Sequence, residues 1–156
     1  MFIEMKVAGL CLDPVTNTPV VILKDLEATI AIPIWVGPAE AHAIAVEMEK
    51  IKLSRPMTHD LLRTLVDLVG AKVERVEVND LRDNAFYSSI FVEWQGRTFE
   101  VDARPSDAIA LSLRTQARIF VARKVLESSR LVDLKKDKWT EILEAIPNEA
   151  FGRYVH

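Results

Sequence analysis

The chain has 156 residues, 49% of them apolar and 28% charged, and a formal net charge of −3. That length supports one folded domain with a substantial hydrophobic core. The acidic balance excludes a generally basic nucleic-acid-binding surface, so any phosphate contact has to come from local arginines. Cys11 is the only cysteine, which rules out an intrachain disulfide and a multi-cysteine zinc site. The first residues carry Glu4 and no basic leader, and no apolar run approaches the ~20 residues that span a bilayer. The expectation is a cytoplasmic protein without membrane contact.

In chain order, residues 2–12 and 19–25 read as two strands joined by the turn-rich run Asp13-Pro14-Val15-Thr16-Asn17-Thr18. A third strand is expected over 29–36, where Pro33 points to an edge position or a bulge. Gly37-Pro38 breaks that strand and opens a helix, with Ala41, Ile44, Ala45 and Met48 on one face. A second helix is expected over 58–69, with Leu61, Leu65 and Leu68 as its buried stripe and Gly70 as a left-handed cap. Residues 73–78 and 86–94 alternate as strands, and Gln95-Gly96 turns the chain into a third strand of that meander at 98–102. A third helix runs from Ser106 to about Gln116, apolar on nearly every side, and 119–121 forms a short strand. Beyond about residue 128 the composition becomes charged around Lys135-Lys136-Asp137-Lys138, and a modest amphipathic helix over 139–146 ends at Pro147. This gives a domain over 1–127 and a C-terminal extension over 128–156. Strands in runs, with helices between them, predict an α+β class. The expected form is a mixed or antiparallel sheet of about six or seven strands with three main helices and the C-terminal helical extension.

Two similar phrases, Arg55-Pro56-Met57-Thr58-His59-Asp60 and Arg104-Pro105-Ser106-Asp107, each precede a helix. A helix N-terminus exposes unpaired N–H groups and a partial positive charge, both of which attract anions. Arginine adds a planar fork suited to carboxylate or phosphate. A protein carboxylate and a substrate phosphate satisfy that arrangement equally well. Thr58 and Ser106 are therefore either caps, with Arg55 and Arg104 paired to Asp60, Asp102 or Asp107, or parts of one polar site. Glu40, Asp102 and Asp107 would make an oxygen-rich set for Mg²⁺ or Mn²⁺, and His59 could move a proton. His42 and His156 carry no signal. The five dispersed glycines form no phosphate-cradling loop, and neither serine pair has a nucleophile-elbow context. Phe86, Tyr87, Phe91 and Trp94 are either a base-stacking platform or ordinary alternating core.

Three ordered segments resemble the signature segments of the bifunctional nuclease domain family. They are Ile34-Trp35-Val36-Gly37-Pro38-Ala39-Glu40-Ala41, Arg55-Pro56-Met57-Thr58-His59-Asp60-Leu61-Leu62 and Val101-Asp102-Ala103-Arg104-Pro105-Ser106-Asp107-Ala108. With the Phe86-Tyr87 strand, the resemblance spans roughly residues 5–127. It implies an α+β domain, a homo-oligomer, and nuclease action on DNA and RNA as substrates. Lys50 stands where relatives place a helix-ending glycine, and Asn84 replaces a hairpin glycine. Within these segments the chemistry of the side chains, not the resemblance, makes His59, Asp60 and Asp107 the expected catalytic residues, and Arg55, Arg104, Thr58 and Ser106 the expected phosphate contacts. Glu40, Asp102 and Asp107 are the expected metal ligands. The competing expectation is a non-catalytic oligomeric module that binds a small anion or a protein partner through the same junctions.

Overall fold

Two three-stranded meanders, each leading into a helix that starts at a proline, frame the molecule in a computed structural model that describes residues 1–129. The first meander is β1 (Phe2–Leu12), β2 (Pro19–Asp25) and β3 (Ala31–Trp35), followed by α1 (Pro38–Met48). Helix α2 (Thr58–Leu68) links it to β4 (Lys72–Arg82), β5 (Ala85–Trp94) and β6 (Arg97–Ala103), which lead into α3 (Pro105–Thr115). Strand β7 (Arg118–Ala122) and the short α4 (Arg123–Ser128) complete the described chain. The seven strands form one sheet in the order β3-β2-β1-β7-β4-β5-β6. β7 joins the two meanders, antiparallel to β1 and parallel to β4. The α+β class with a mixed sheet follows directly.

Local chemistry sets the turns. Asp83 and Asn84, at φ 50° and 62°, close the β4–β5 hairpin, and Gln95-Gly96 does the same for β5–β6 at φ 51° and 74°. Both meander strands thus run longer than alternation alone suggests, since only two residues are spent on each turn. Pro33 sits on β3, an edge strand whose unpaired side needs no amide proton. Val21, Leu23, Ile32, Ile34, Val76, Val78 and Val121 meet Ile44 of α1 and Ile109 of α3 in the core. The α4 turn was not anticipated from sequence; its Val125 and Leu126 are buried. The helix expected over 139–146 lies outside the described residues.

One expectation fails. Leu61, Leu65 and Leu68 of α2 are 54%, 48% and 77% exposed. The inner side of α2 carries buried His59 and partly buried Val66 instead. Helical periodicity locates an apolar stripe but does not say which surface covers it.

Helices α1 and α2 both end in Schellman geometry. In α1 the Lys50 and Ile51 amides donate to Glu47 and Val46 carbonyls; in α2 the Gly70 and Ala71 amides donate to Asp67 and Val66. Lys50 therefore takes φ 54°, and Gly70 takes φ 74° in the equivalent place. A side chain is strained in that conformation, and its exposed ion pair with Glu47 is worth little. Lys50→Gly is expected to stabilise the fold by about 1 kcal/mol, measured by urea denaturation.

Candidate active site

The three main helices each place an acid at the third helical position. Pro38 and Pro105 open α1 and α3, so Glu40 and Asp107 occupy equivalent places, and Asp60 holds that place in α2. Negative charge there opposes the helix dipole favourably. No side chain caps α1 or α3, and Thr58 and Ser106 do not act as caps. In α2 the Asp60 carboxylate turns back to accept the Met57 amide proton at 2.8 Å.

Arg104 collects two of these acids. Its Nε donates to Asp107 Oδ2 and its Nη1 to Glu40 Oε1, both at 2.9 Å. Asp107 Oδ1 lies 3.0 Å from His59 Nε2. The result is a chain Glu40–Arg104–Asp107–His59 across the N-termini of α1, α3 and α2. Gly37 leaves room for Glu40 in this position: a Cβ there would collide with Glu40 Oε2 and force the carboxylate to shift. Burial works against the Asp107 carboxylate, but hydrogen bonds and charge from Arg104 and His59 outweigh it and hold its pKa below the usual carboxylate value. The Arg104 side chain is 65% exposed and keeps one edge open to solvent.

An ionised carboxylate only accepts, so the Asp107 contact requires a proton on His59 Nε2. His59 Nδ1 is buried without a partner, and His59 as a whole is 7% exposed. The imidazole is thus sealed beneath Asp107. Its geometry suits holding Asp107 in place better than exchanging protons with water.

Asp60 belongs to a different pair. Its Oδ1 accepts from Arg114 Nε at 2.8 Å, while Arg114 Nη1 and Nη2 donate to the Ala110 and Ala43 carbonyls, both at 2.9 Å. The Arg114 side chain is 1% exposed. Arg55, the expected partner of Asp60, is exposed and forms no ion pair among the described residues. Arg114 was missed; the signal was a lone arginine one turn after the apolar run Ala108-Ile109-Ala110-Leu111 of α3.

Asp102 also lies apart. It is exposed on β6 opposite Ser89, on the strand face away from the helices. Among the described residues no group of three or more His, Cys, Asp or Glu side chains gathers to hold a metal ion. Glu40, Asp102 and Asp107 do not fit one cation in this arrangement, because Arg104 occupies two of them and the third is elsewhere. Cys11 offers no nucleophile: burial first, then the Asp13 charge, push its thiol up to about 11. The aromatic strand residues divide. Phe86 packs against the core, while Phe91 and Tyr87 lie under the Arg75 and Arg82 guanidinium groups at 3.9 and 4.0 Å.

A cleft of about 330 Å³ opens beside this chain of charges, lined by Trp35, Gly37, Asn84, Phe86, Arg104 and Ser106 among others. The family model for the bifunctional nuclease domain matches residues 21–133. The chain belongs to the bifunctional nuclease domain family. It is 36% identical over 129 residues to an uncharacterized protein of Mycobacterium tuberculosis, covering 83% of this chain and 77% of that one. It is 26% identical over 125 residues to Bifunctional nuclease 1 of Arabidopsis thaliana, covering 72% of this chain and 38% of the plant protein. The rice (Oryza sativa subsp. japonica) Bifunctional nuclease 1 is 20% identical over 142 residues, covering 89% of this chain and 40% of its own length. All three signature segments named above lie at the Glu40–Arg104–Asp107–His59 chain or at the Asp60–Arg114 pair beneath it. No helix among the described residues is long and apolar enough to cross a membrane.

The Asp60–Arg114 pair reads as structural. Removing one partner leaves a buried charge, so Asp60→Ala should cost on the order of 3 kcal/mol. Burial raises the Asp60 pKa, but the Met57 amide and then Arg114 outweigh that and lower it. Its contribution is therefore present above the unfolded carboxylate pKa of about 3.9 and fades as pH falls through the lower folded value. Chemical denaturation from pH 7 to acid should show the gap between wild type and Asp60→Ala closing below about pH 4.

Proposed function

We propose that the protein hydrolyses phosphodiester bonds of DNA and RNA with little sequence preference. The observation that carries this is the exposed Arg104 in the lining of a cleft, paired with the ionised Asp107. Arg104 holds the phosphate by its free N–H groups. Asp107 orients a water and accepts one of its protons as the water oxygen bonds to phosphorus. The bond from phosphorus to the leaving sugar oxygen breaks, and that oxygen takes a proton from solvent. His59 and Glu40 are positioning residues: one fixes Asp107 from below, the other fixes Arg104 from the side. Arg55 and Thr58, both exposed at the start of α2, offer further backbone contacts to a strand. The plant relatives, each a Bifunctional nuclease 1, support the nuclease reading.

One observation favours the non-catalytic alternative. Arg104 already has two carboxylate partners, so the charges there satisfy one another without a substrate. A single comparison separates the readings. Asp107→Asn should lower cleavage of single- and double-stranded DNA and RNA by about 100-fold or more, with little change in melting temperature. Equal cleavage by both proteins from identical purifications would point to a contaminating nuclease and to the alternative. A chelator arm tests whether a cation supplied with the substrate contributes. Because catalysis needs ionised Asp107 and its pKa is lowered, the acid limb of the rate profile should lie below the ordinary carboxylate range.

We also read the protein as a homo-oligomer. Leu61, Leu65 and Leu68 form an exposed apolar stripe along α2, and at the end of that helix Trp94 Nε1 donates to the Val69 carbonyl at 3.1 Å, with its ring 6.4 Å from Phe99. Several large apolar side chains exposed along one helix are characteristic of a subunit contact. Leu65→Glu should lower the mass measured by light scattering while leaving the melting transition cooperative; an unchanged mass contradicts the assignment of this surface.

A further inference from the structure

The cleft beside Arg104 is built from three chain junctions. Trp35 and Gly37 come from the end of β3 and the start of α1, Asn84 and Phe86 from the β4–β5 hairpin, and Arg104 and Ser106 from the start of α3. The lining combines two aromatic rings with a guanidinium, an amide and a hydroxyl. Trp35 is 42% exposed, yet its Nε1 donates to Asp13 Oδ2 at 2.9 Å. The indole is thus held in place while much of its surface stays accessible. Ser106 is only 7% exposed, lines the cleft, and caps no helix; no hydrogen bond among the described residues engages its hydroxyl. A hydroxyl that lines the cleft and has no protein partner is a place for a ligand's polar atom.

An accessible aromatic ring next to a phosphate-binding arginine has a specific chemical meaning. Every nucleobase presents a π-face, so an aromatic ring binds any base without reading sequence. In a duplex both faces of a base are covered by its neighbours, and only an unpaired or extruded base can lay a face on the ring. The volume of about 330 Å³ suits one nucleotide and not a duplex. Stacking also lets a chain of net charge −3 hold a polyanion without a basic surface.

We propose that this cleft takes one unpaired nucleotide, its base against Trp35 and Phe86 and its phosphate at Arg104 and Ser106, so that the protein selects single-stranded over duplex nucleic acid. The inference rests on the nuclease reading for its consequence in cleavage, and on the cleft alone for binding. The test uses the full chain carrying Asp107→Asn, so that binding is measured without hydrolysis. A fluorescein-labelled oligonucleotide of about 12 nucleotides is titrated as single strand and as duplex, followed by anisotropy. The single strand should bind about tenfold or more tightly than the duplex. Adding Trp35→Ala should remove most of that difference, Trp35→Leu should do the same while preserving apolar volume, and Trp35→Phe should keep most of it. Equal binding of both forms, or a preference unchanged in Trp35→Leu, overturns the inference and leaves the nuclease reading standing if the parent chain cleaves. A Trp35-dependent preference in a chain whose parent never cleaves supports the cleft and overturns the nuclease reading instead.

Discussion

One buried guanidinium organises the helical layer. Arg114 leaves α3, accepts almost no solvent, and spends its donors on the Ala43 carbonyl of α1, the Ala110 carbonyl of its own helix and the Asp60 carboxylate of α2. A lysine could not reproduce this, because the arrangement uses a planar fork with donors in several directions. The cost of burying the charge is offset only while all its partners are present. Three helices of 11 residues each are thereby fixed to one another at a single point.

That constraint reaches the cleft through adjacent residues. Asp60 neighbours His59, and His59 supports Asp107; the pair that locks α2 onto α3 therefore also sets the height of the imidazole beneath the carboxylate. From the other side Glu40 reaches Arg104 past Gly37, where a side chain would force the Glu40 carboxylate to shift. The exposed groups at the cleft mouth are in this sense the visible ends of helix-packing contacts. The site keeps its geometry because the same acids that complement three helix N-termini also hold the arginines.

How much of this was legible in the sequence depends on the range of the interaction. Turn chemistry and alternation are local, and they placed β1, β2 and the Gln95-Gly96 hairpin correctly, with Gly70 as a left-handed cap. Proline on an edge strand was equally readable at Pro33. What periodicity could not supply was the identity of the surface facing each stripe, and so Leu61, Leu65 and Leu68 were assigned to a core that His59 and Val66 occupy. Arg114 was invisible for the same reason: its partners are Asp60 and the Ala43 carbonyl, 54 and 71 positions away in sequence. The family resemblance gathered the right segments without assigning their contacts, and closeness in sequence put Asp102 beside Asp107 when a strand end and a helix start carry them apart.

The two Arg-Pro phrases are similar in sequence, but topology pairs a different couple of junctions. Each meander ends in an edge strand and turns into a helix at a proline, which makes Gly37-Pro38-Ala39-Glu40 the counterpart of Arg104-Pro105-Ser106-Asp107. Glu40 and Asp107 then stand at the same helical position of the two halves and meet at Arg104. The halves differ in what precedes the proline. A glycine in one gives room for a carboxylate to fold back, and an arginine in the other fills the gap between two acids. Without that asymmetry two carboxylates would face each other across the junction and repel. With it, the junction carries one cation held between two anions, with its free edge turned toward a cleft, and that is the arrangement a phosphate needs if it is to find a donor without displacing the fold.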